Sequence, residues 1–120
     1  MQRPKPRGTT RLFRALGASW RGFRGAFREE AAFRQELALA VVVIPTGLVV
    51  GRSGIERVLL IAPMLLVLIV ELLNSAVEAT VDRISLEHHE LAGLAKDLGS
   101  AAVFMTLVLL AITWAFVLIR

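Results

Sequence analysis

The sequence predicts an all-α integral membrane fold, three transmembrane helices preceded by an N-terminal amphipathic surface helix, and three observations carry that expectation. Of the 120 residues 56% are hydrophobic, and they pool into runs such as Val58 to Val70, thirteen residues without a polar side chain. Runs of this kind belong in lipid rather than in a soluble core. Three spans at about 20 residues each use roughly half the chain, leaving an arm and two short connections, so residues 1–120 form a single membrane domain. Nine of the 14 basic residues precede Leu37. A basic arm directly ahead of apolar sequence suits anionic lipid, and no nucleic-acid partner is expected. The absence of cysteine excludes a disulfide framework, a thiolate metal site and a cysteine nucleophile.

Residues 1–10 carry Pro, Arg and Lys with no apolar period and read as a disordered tip. From Arg11 the pattern changes. Phe13, Leu16, Trp20, Phe23 and Phe27 recur at steps of three and four, with Arg14, Arg21 and Arg28 beside them. This is an aromatic stripe flanked by arginines, which predicts a surface helix over 11–34 lying at the membrane interface; packing against a protein core is the plainer reading of the same stripe. The first span covers about 35–50 and its helix starts near Glu30 or Phe33, with Pro45 a possible kink. Gly51 to Gly54 make a turn, the second span covers 58–81, residues 82–97 form a polar connection, and the third span covers 98–119. Trp114 sits near one end of it, where an indole favours the headgroup level.

Orientation follows from the basic residues. The arm precedes the first span, Arg52 and Arg57 lie in the first connection, Arg83 and Lys96 in the second, and Arg120 ends the chain. The charge bias puts the N-terminus in the cytoplasm. Three crossings then place the second connection in the cytoplasm and the C-terminus outside.

The second span carries the residues that suggest chemistry. Glu71, Asn74, Ser75, Glu78 and Asp82 fall at i, i+3, i+4, i+7 and i+11, all within about 60° of one helix direction. A carboxylate at membrane depth costs at least about 2.5 kcal/mol at the bilayer centre. Two on one stripe therefore call for protons, metal ions or cations; near the interface, snorkelling or pairing with Arg34 or Lys96 would also serve. Beyond them come Glu87, His88, His89 and Glu90, then Lys96, Asp97 and Ser100 at the mouth of the third span. Alone these are solvated loop residues and an interfacial lysine; beside the acidic face they become phosphate and nucleotide contacts. Where the surface helix meets the first span lie Glu29, Glu30, Arg34, Gln35 and Glu36, whose plainest role is i,i+4 pairing such as Glu30 with Arg34. Oxygen-only acids such as Glu30 and Glu78 suit Mg²⁺, which takes one or two carboxylates together with substrate phosphates. No Walker A, dinucleotide or protein-kinase motif is present. Phosphoryl transfer nevertheless needs only a metal, cations and a base aligned with the acceptor hydroxyl.

Three blocks, E-A-A-F-R-Q-E at Glu30 to Glu36, V-E-L-L-N-S-A-V-E-A-T-V-D-R-I at Val70 to Ile84, and H-E-L-A-G-L-A-K-D-L-G-S-A-A-V at His89 to Val103, resemble the small prokaryotic diacylglycerol kinases. The resemblance is to the Gram-negative form, runs from about Thr9 to Trp114, and keeps the order and spacing of the blocks. It implies a helical-bundle homotrimer in a bacterial inner membrane, its C-terminus in the periplasm, with active sites shared between subunits, transferring the γ-phosphate of MgATP to 1,2-diacylglycerol to give phosphatidic acid. By the same resemblance Glu71 looks like the proton acceptor with Asn74 in support, and Glu30 and Glu78 look like the metal ligands. Nucleotide contacts implied are Arg11, Glu30, Glu78, Glu87, His88, His89, Lys96 and Asp97. Lipid-side contacts implied are Arg11, Trp20, Arg24, Arg34, Gln35, Glu36, Glu71 and Ser100. The chain departs from the family pattern at Ala18 and His88, where aromatics are usual, and at Phe27, where a Trp is common. Undecaprenol, the acceptor of Gram-positive relatives, is the alternative substrate; a small proton-coupled transporter built on an intramembrane Glu is the alternative from another class.

Overall fold

A computed structural model of the chain describes residues 7–84 and 89–120. Four helices account for nearly all of them: α1 (Thr9–Glu29), α2 (Ala31–Val50), α3 (Gly54–Ile84) and α4 (Glu90–Leu118). The all-helical expectation holds, and α2, α3 and α4 are each long and apolar enough to cross a membrane. The protein is a multi-pass membrane protein of helical class. Helix α3 packs against both α2 and α4 and is the centre of the bundle, while α1 joins it through α2.

The helix ends differ from the boundaries that hydropathy predicts, each for a local reason. Helix α1 opens at Thr9, two residues early, from Gly8 at φ 62°, a backbone that side chains with a Cβ disfavour. It stops at Glu29 rather than continuing to 34. Glu30 is a single extended residue, φ −118° and ψ 108°, that closes α1 by donating its N–H to Ala26 O at 2.9 Å and opens α2 by accepting from Arg34 N–H at 3.2 Å. The chain thus turns from surface helix to crossing helix on one residue. Helix α4 begins at Glu90, so the region read as a polar connection over 82–97 is helical from that point. His89 caps α4, its Nδ1 accepting from Leu91 N–H at 3.1 Å, and the last turns of α3 project beside it.

Length explains why. At about 1.5 Å per residue α3 is about 46 Å long and α4 about 43 Å, against a hydrocarbon core of about 30 Å. Both overshoot the bilayer, and a helix outside lipid has no need of apolar side chains. The overshooting ends of α3 and α4 lie together.

The other end of the bundle is tied shut. Ser53 Oγ accepts from Glu56 N–H at 3.1 Å and Glu56 Oε1 accepts from Arg52 N–H at 2.9 Å, a variant of the reciprocal cap that starts helices. The terminal carbonyls of α2 take side-chain donors: Leu48 O from Arg57 Nε at 3.1 Å and Val50 O from Arg120 at 2.6 Å. Arg120 also pairs with Glu56 at 3.2 Å. Inside, Leu60, Met64 and Val67 are wholly buried, packed with Ala40, Leu110 and the flanks of Val43, Leu107 and Trp114. Pro63 cannot donate to the Leu59 carbonyl, and on the next residue Trp114 Nε1 donates to Leu60 O at 2.9 Å. Outward-facing apolar residues such as Val49, Ile69, Phe104 and Phe116 remain exposed, as lipid-facing surfaces require. Replacing Trp114 with Phe removes that interhelical hydrogen bond while keeping an aromatic; thermal unfolding in detergent should show a loss of about 1 kcal/mol, and an unchanged midpoint would assign the bond no role in the packing.

Candidate active site

The buried stripe of α3 changes character along its length. Leu60, Met64, Val67, Glu71 and Asn74 follow one another at steps of four and three and are all buried, Glu71 only 4% exposed and Asn74 9%. The acidic face that the spacing predicts is thus a continuation of the core seam. Glu78 extends it, half-buried, and Asp82 lies beyond at an exposed position. Counting 20 residues of hydrocarbon from Arg57 puts the far boundary near Val77, with Glu71 about 9 Å inside it.

Glu71 is the centre of a loose group of carboxylates at this end of α3. Those of Glu30 and Glu78 stand within Coulombic reach of Glu71, which in turn acts on Glu36. Glu30 arrives from the elbow between α1 and α2, where it is half-buried on the cavity wall. Between α1 and α3 a cavity of about 470 Å³ is lined by Ser19, Gly22, Ala26 and Glu30 on one side and by Leu72 and Ser75 on the other. Ser75 Oγ, Glu36 Oε2 and Asn74 Oδ1 are buried without a hydrogen-bond partner among the described residues. Buried polar atoms left unpaired are costly, and of the three Ser75 lies on the cavity wall.

Cations stand at the rim. Lys96 Nζ pairs with Asp82 at 2.6 Å, both side chains well exposed, and Lys96 is also within Coulombic reach of Glu78. An exposed pair stabilises little; it joins the ends of α3 and α4 and keeps an ammonium beside the acidic face. Asp97 and Ser100 are exposed on the same end of α4. His89 is exposed, its Nδ1 engaged by the helix cap, so that neutral His89 carries its proton on Nε2.

Not every residue singled out in the sequence converges. Arg11 lies about 28 Å along the chain axis from Glu30, nineteen residues at helical rise. Trp20 is exposed with Phe13 and Leu16, unpacked by the rest of the chain. Gln35 is exposed, and Arg24 borders an adjoining depression that shares Arg21, Gly25 and Glu29 with the cavity but is not itself on the cavity wall. Arg34 does not pair with Glu30: its guanidinium donates to Phe27 O at 2.7 Å and Arg28 O at 3.2 Å, capping the last carbonyls of α1. Glu87 and His88 fall outside the described residues. Sequence reasoning passed over Ser19, Gly22 and Ala26; their steps of three and four mark a stripe of small residues on α1 that leaves the cavity open.

The donor set suits a hard cation. Among the described residues no three His, Asp or Glu side chains converge into a metal cage. Glu30 and Glu78 offer oxygen alone, which fits an ion completed by phosphate oxygens rather than by protein.

A buried acidic face on a membrane helix, open to a cavity and rimmed by lysine, can bind a charged co-substrate from water and an alcohol from lipid. Residues 17–118 match the family model of prokaryotic diacylglycerol kinases. The chain belongs to that family. Its relatives include the diacylglycerol kinase of Pseudomonas aeruginosa, 55% identical over 112 residues, 93% of this chain and 91% of the relative. The diacylglycerol kinase of Escherichia coli K12 is 50% identical over 111 residues, 92% of this chain and 91% of the relative. That of Haemophilus influenzae is 47% identical over 114 residues, 95% and 97% of the two chains. For this family member the elbow at Glu30 makes a specific expectation: Arg34→Met removes both caps on α1, and amide hydrogen exchange in the last turn of α1 should accelerate about tenfold or more. Unchanged protection there would free Arg34 for a purely lipid-facing role.

Proposed function

We propose that this diacylglycerol kinase phosphorylates 1,2-diacylglycerol from ATP at the acidic end of α3, and that Glu71 is its base. The lipid enters sideways from the bilayer and its hydroxyl meets the Glu71 carboxylate just inside the interface. That carboxylate takes the hydroxyl proton as the oxygen bonds to the γ-phosphorus, the bond to the β,γ-bridging oxygen breaks, and ADP leaves. The observation that carries this reading is the burial of Glu71 on the core seam with Glu30 and Glu78 beside it. A carboxylate held there, where lipid-borne and water-borne groups can both reach it, is placed to act as a general base.

Glu30 and Glu78 would hold Mg²⁺, which when bound neutralises charge on the phosphates and favours a loose, in-line transfer. Lys96, with Asp97 and His89, would approach the phosphates from the water side; Glu87 would join them, and so would His88, which stands where the family usually has an aromatic. Asn74 would steady the acceptor side of the site, Arg11 would reach the nucleotide or the lipid headgroup from the start of the surface helix, and Trp20, Arg24, Arg34, Gln35, Glu36 and Ser100 would face the lipid. The aromatic stripe of α1, left unpacked by protein, supports α1 lying in the headgroup layer. The charge bias of the connections supports a cytoplasmic N-terminus and periplasmic C-terminus in the inner membrane. A homotrimer with shared sites accords with the distance of Arg11 from its own Glu30, since another subunit can supply what one chain cannot bring together.

The deciding measurement is Mg²⁺-dependent transfer of labelled γ-phosphate from ATP to diacylglycerol or undecaprenol in mixed micelles, with Glu71→Gln alongside. Transfer to diacylglycerol is expected, falling about 10³-fold or more in the variant, with the oligomer intact by size exclusion. Preference for undecaprenol would replace the lipid, near-normal turnover in the variant would remove Glu71 as base, and no transfer to either lipid would return the acidic face to the transporter reading.

A further inference from the structure

The glycines of α4 sit in opposite surroundings. A Cβ built at Gly93 would meet nothing within 4 Å, whereas one built at Gly99 would collide with Asn74 Oδ1 and come within 3.0 Å of its Cγ and 3.8 Å of its Cβ. Glycine weakens a helix interior relative to alanine, so local propensity offers no reason for it at position 99. The reason is across the seam. The second hydrogen of a glycine points where Cβ would stand, so Asn74 Oδ1, buried and otherwise unpartnered among the described residues, faces a Cα–H, a weak donor.

We infer that Gly99 is a positioning residue for phosphoryl transfer: presenting no side chain to α3, it lets the Asn74 amide point its oxygen at α4 and fixes where that amide stands relative to Glu71 and Glu78. Asn74 is three residues from one and four from the other, on their face of α3. With its oxygen pressed against Gly99, its NH₂ is the end left to donate, and ionised carboxylates only accept. A methyl group at position 99 forces either a new Asn74 rotamer or separation of two packed helices. Rotating one side chain costs less than opening the seam, so the amide moves while the rim groups that hold ATP stay in place. The inference rests on the assignment of Asn74 to the active site.

The test is Gly99→Ala, with Gly93→Ala as the same change in open space, each assayed as assembled protein in mixed micelles. Gly99→Ala should lower kcat about a hundredfold with KM for ATP and for diacylglycerol each within about threefold. Gly93→Ala should keep kcat within about twofold. Thermal unfolding supplies a readout independent of activity: Gly99→Ala should lower the midpoint in the native background and leave it unchanged or raised in an Asn74→Ala background, where the obstacle is gone and the helix propensity of alanine remains. Normal kcat in Gly99→Ala, an equal loss in Gly93→Ala, or an equal drop in midpoint in both backgrounds would overturn the inference. If Gly99→Ala does not fold, recovery of folding in Gly99→Ala with Asn74→Ala upholds the contact and failure to recover overturns it. An inactive parent chain would sink the kinase reading, yet the stability cycle would still report on Gly99.

Discussion

The structure depends on a single seam along α3 that is apolar for half its length and acidic for the rest. Leu60, Met64 and Val67 make the packed half, and Glu71 and Asn74 follow at the same helical steps, equally enclosed. Because the seam is one stripe of one rigid helix, the carboxylate cannot be withdrawn without unpacking the core that holds α2 and α4 to α3. A charge in that position is costly. The bundle accepts the cost at one depth only, about 9 Å inside the boundary, where water-borne and lipid-borne groups can both reach it.

The two ends of the bundle are built to different purposes. At one end, Arg57, Arg120, Glu56 and Ser53 satisfy terminal groups of α2 and α3, among them the Leu48 and Val50 carbonyls and the Arg52 and Glu56 N–H groups. At the other, α3 and α4 overshoot the bilayer side by side, joined by Asp82 and Lys96, and α1 folds back through the one-residue elbow at Glu30. That elbow does two things at once. It redirects the chain from the surface to the crossing direction, and it delivers a third carboxylate to the seam from a helix other than α3. Arg34, by capping α1, holds the geometry of the turn.

Small residues set the spacing of these parts. Gly22 and Ala26 on α1 leave a cavity against α3, and Gly99 on α4 allows close approach at Asn74. Polar atoms on Glu36, Asn74 and Ser75 are left unpaired among the described residues at this end of the bundle. A site that must admit phosphates and a lipid hydroxyl carries its unsatisfied groups until they arrive.

Spans, surface helix and acidic face were all legible in the linear order of residues. Lipid imposes a minimum length of apolar chain, and helical period then shows that Glu71, Asn74 and Glu78 share a direction. Periodicity says which residues face together; it does not say what stands opposite, nor where a helix ends once it has left the bilayer. The break at Glu30, with no glycine or proline to announce it, the extension of α4 back to Glu90, the turn of Arg34 toward carbonyls instead of Glu30, and the contact of Gly99 with Asn74 are all settled between helices. Hydrogen-bonded caps and interhelical distance decide them, and both are properties of the packed chain, because a cap needs its neighbouring turn in place and a glycine shows its purpose only against the side chain it makes room for.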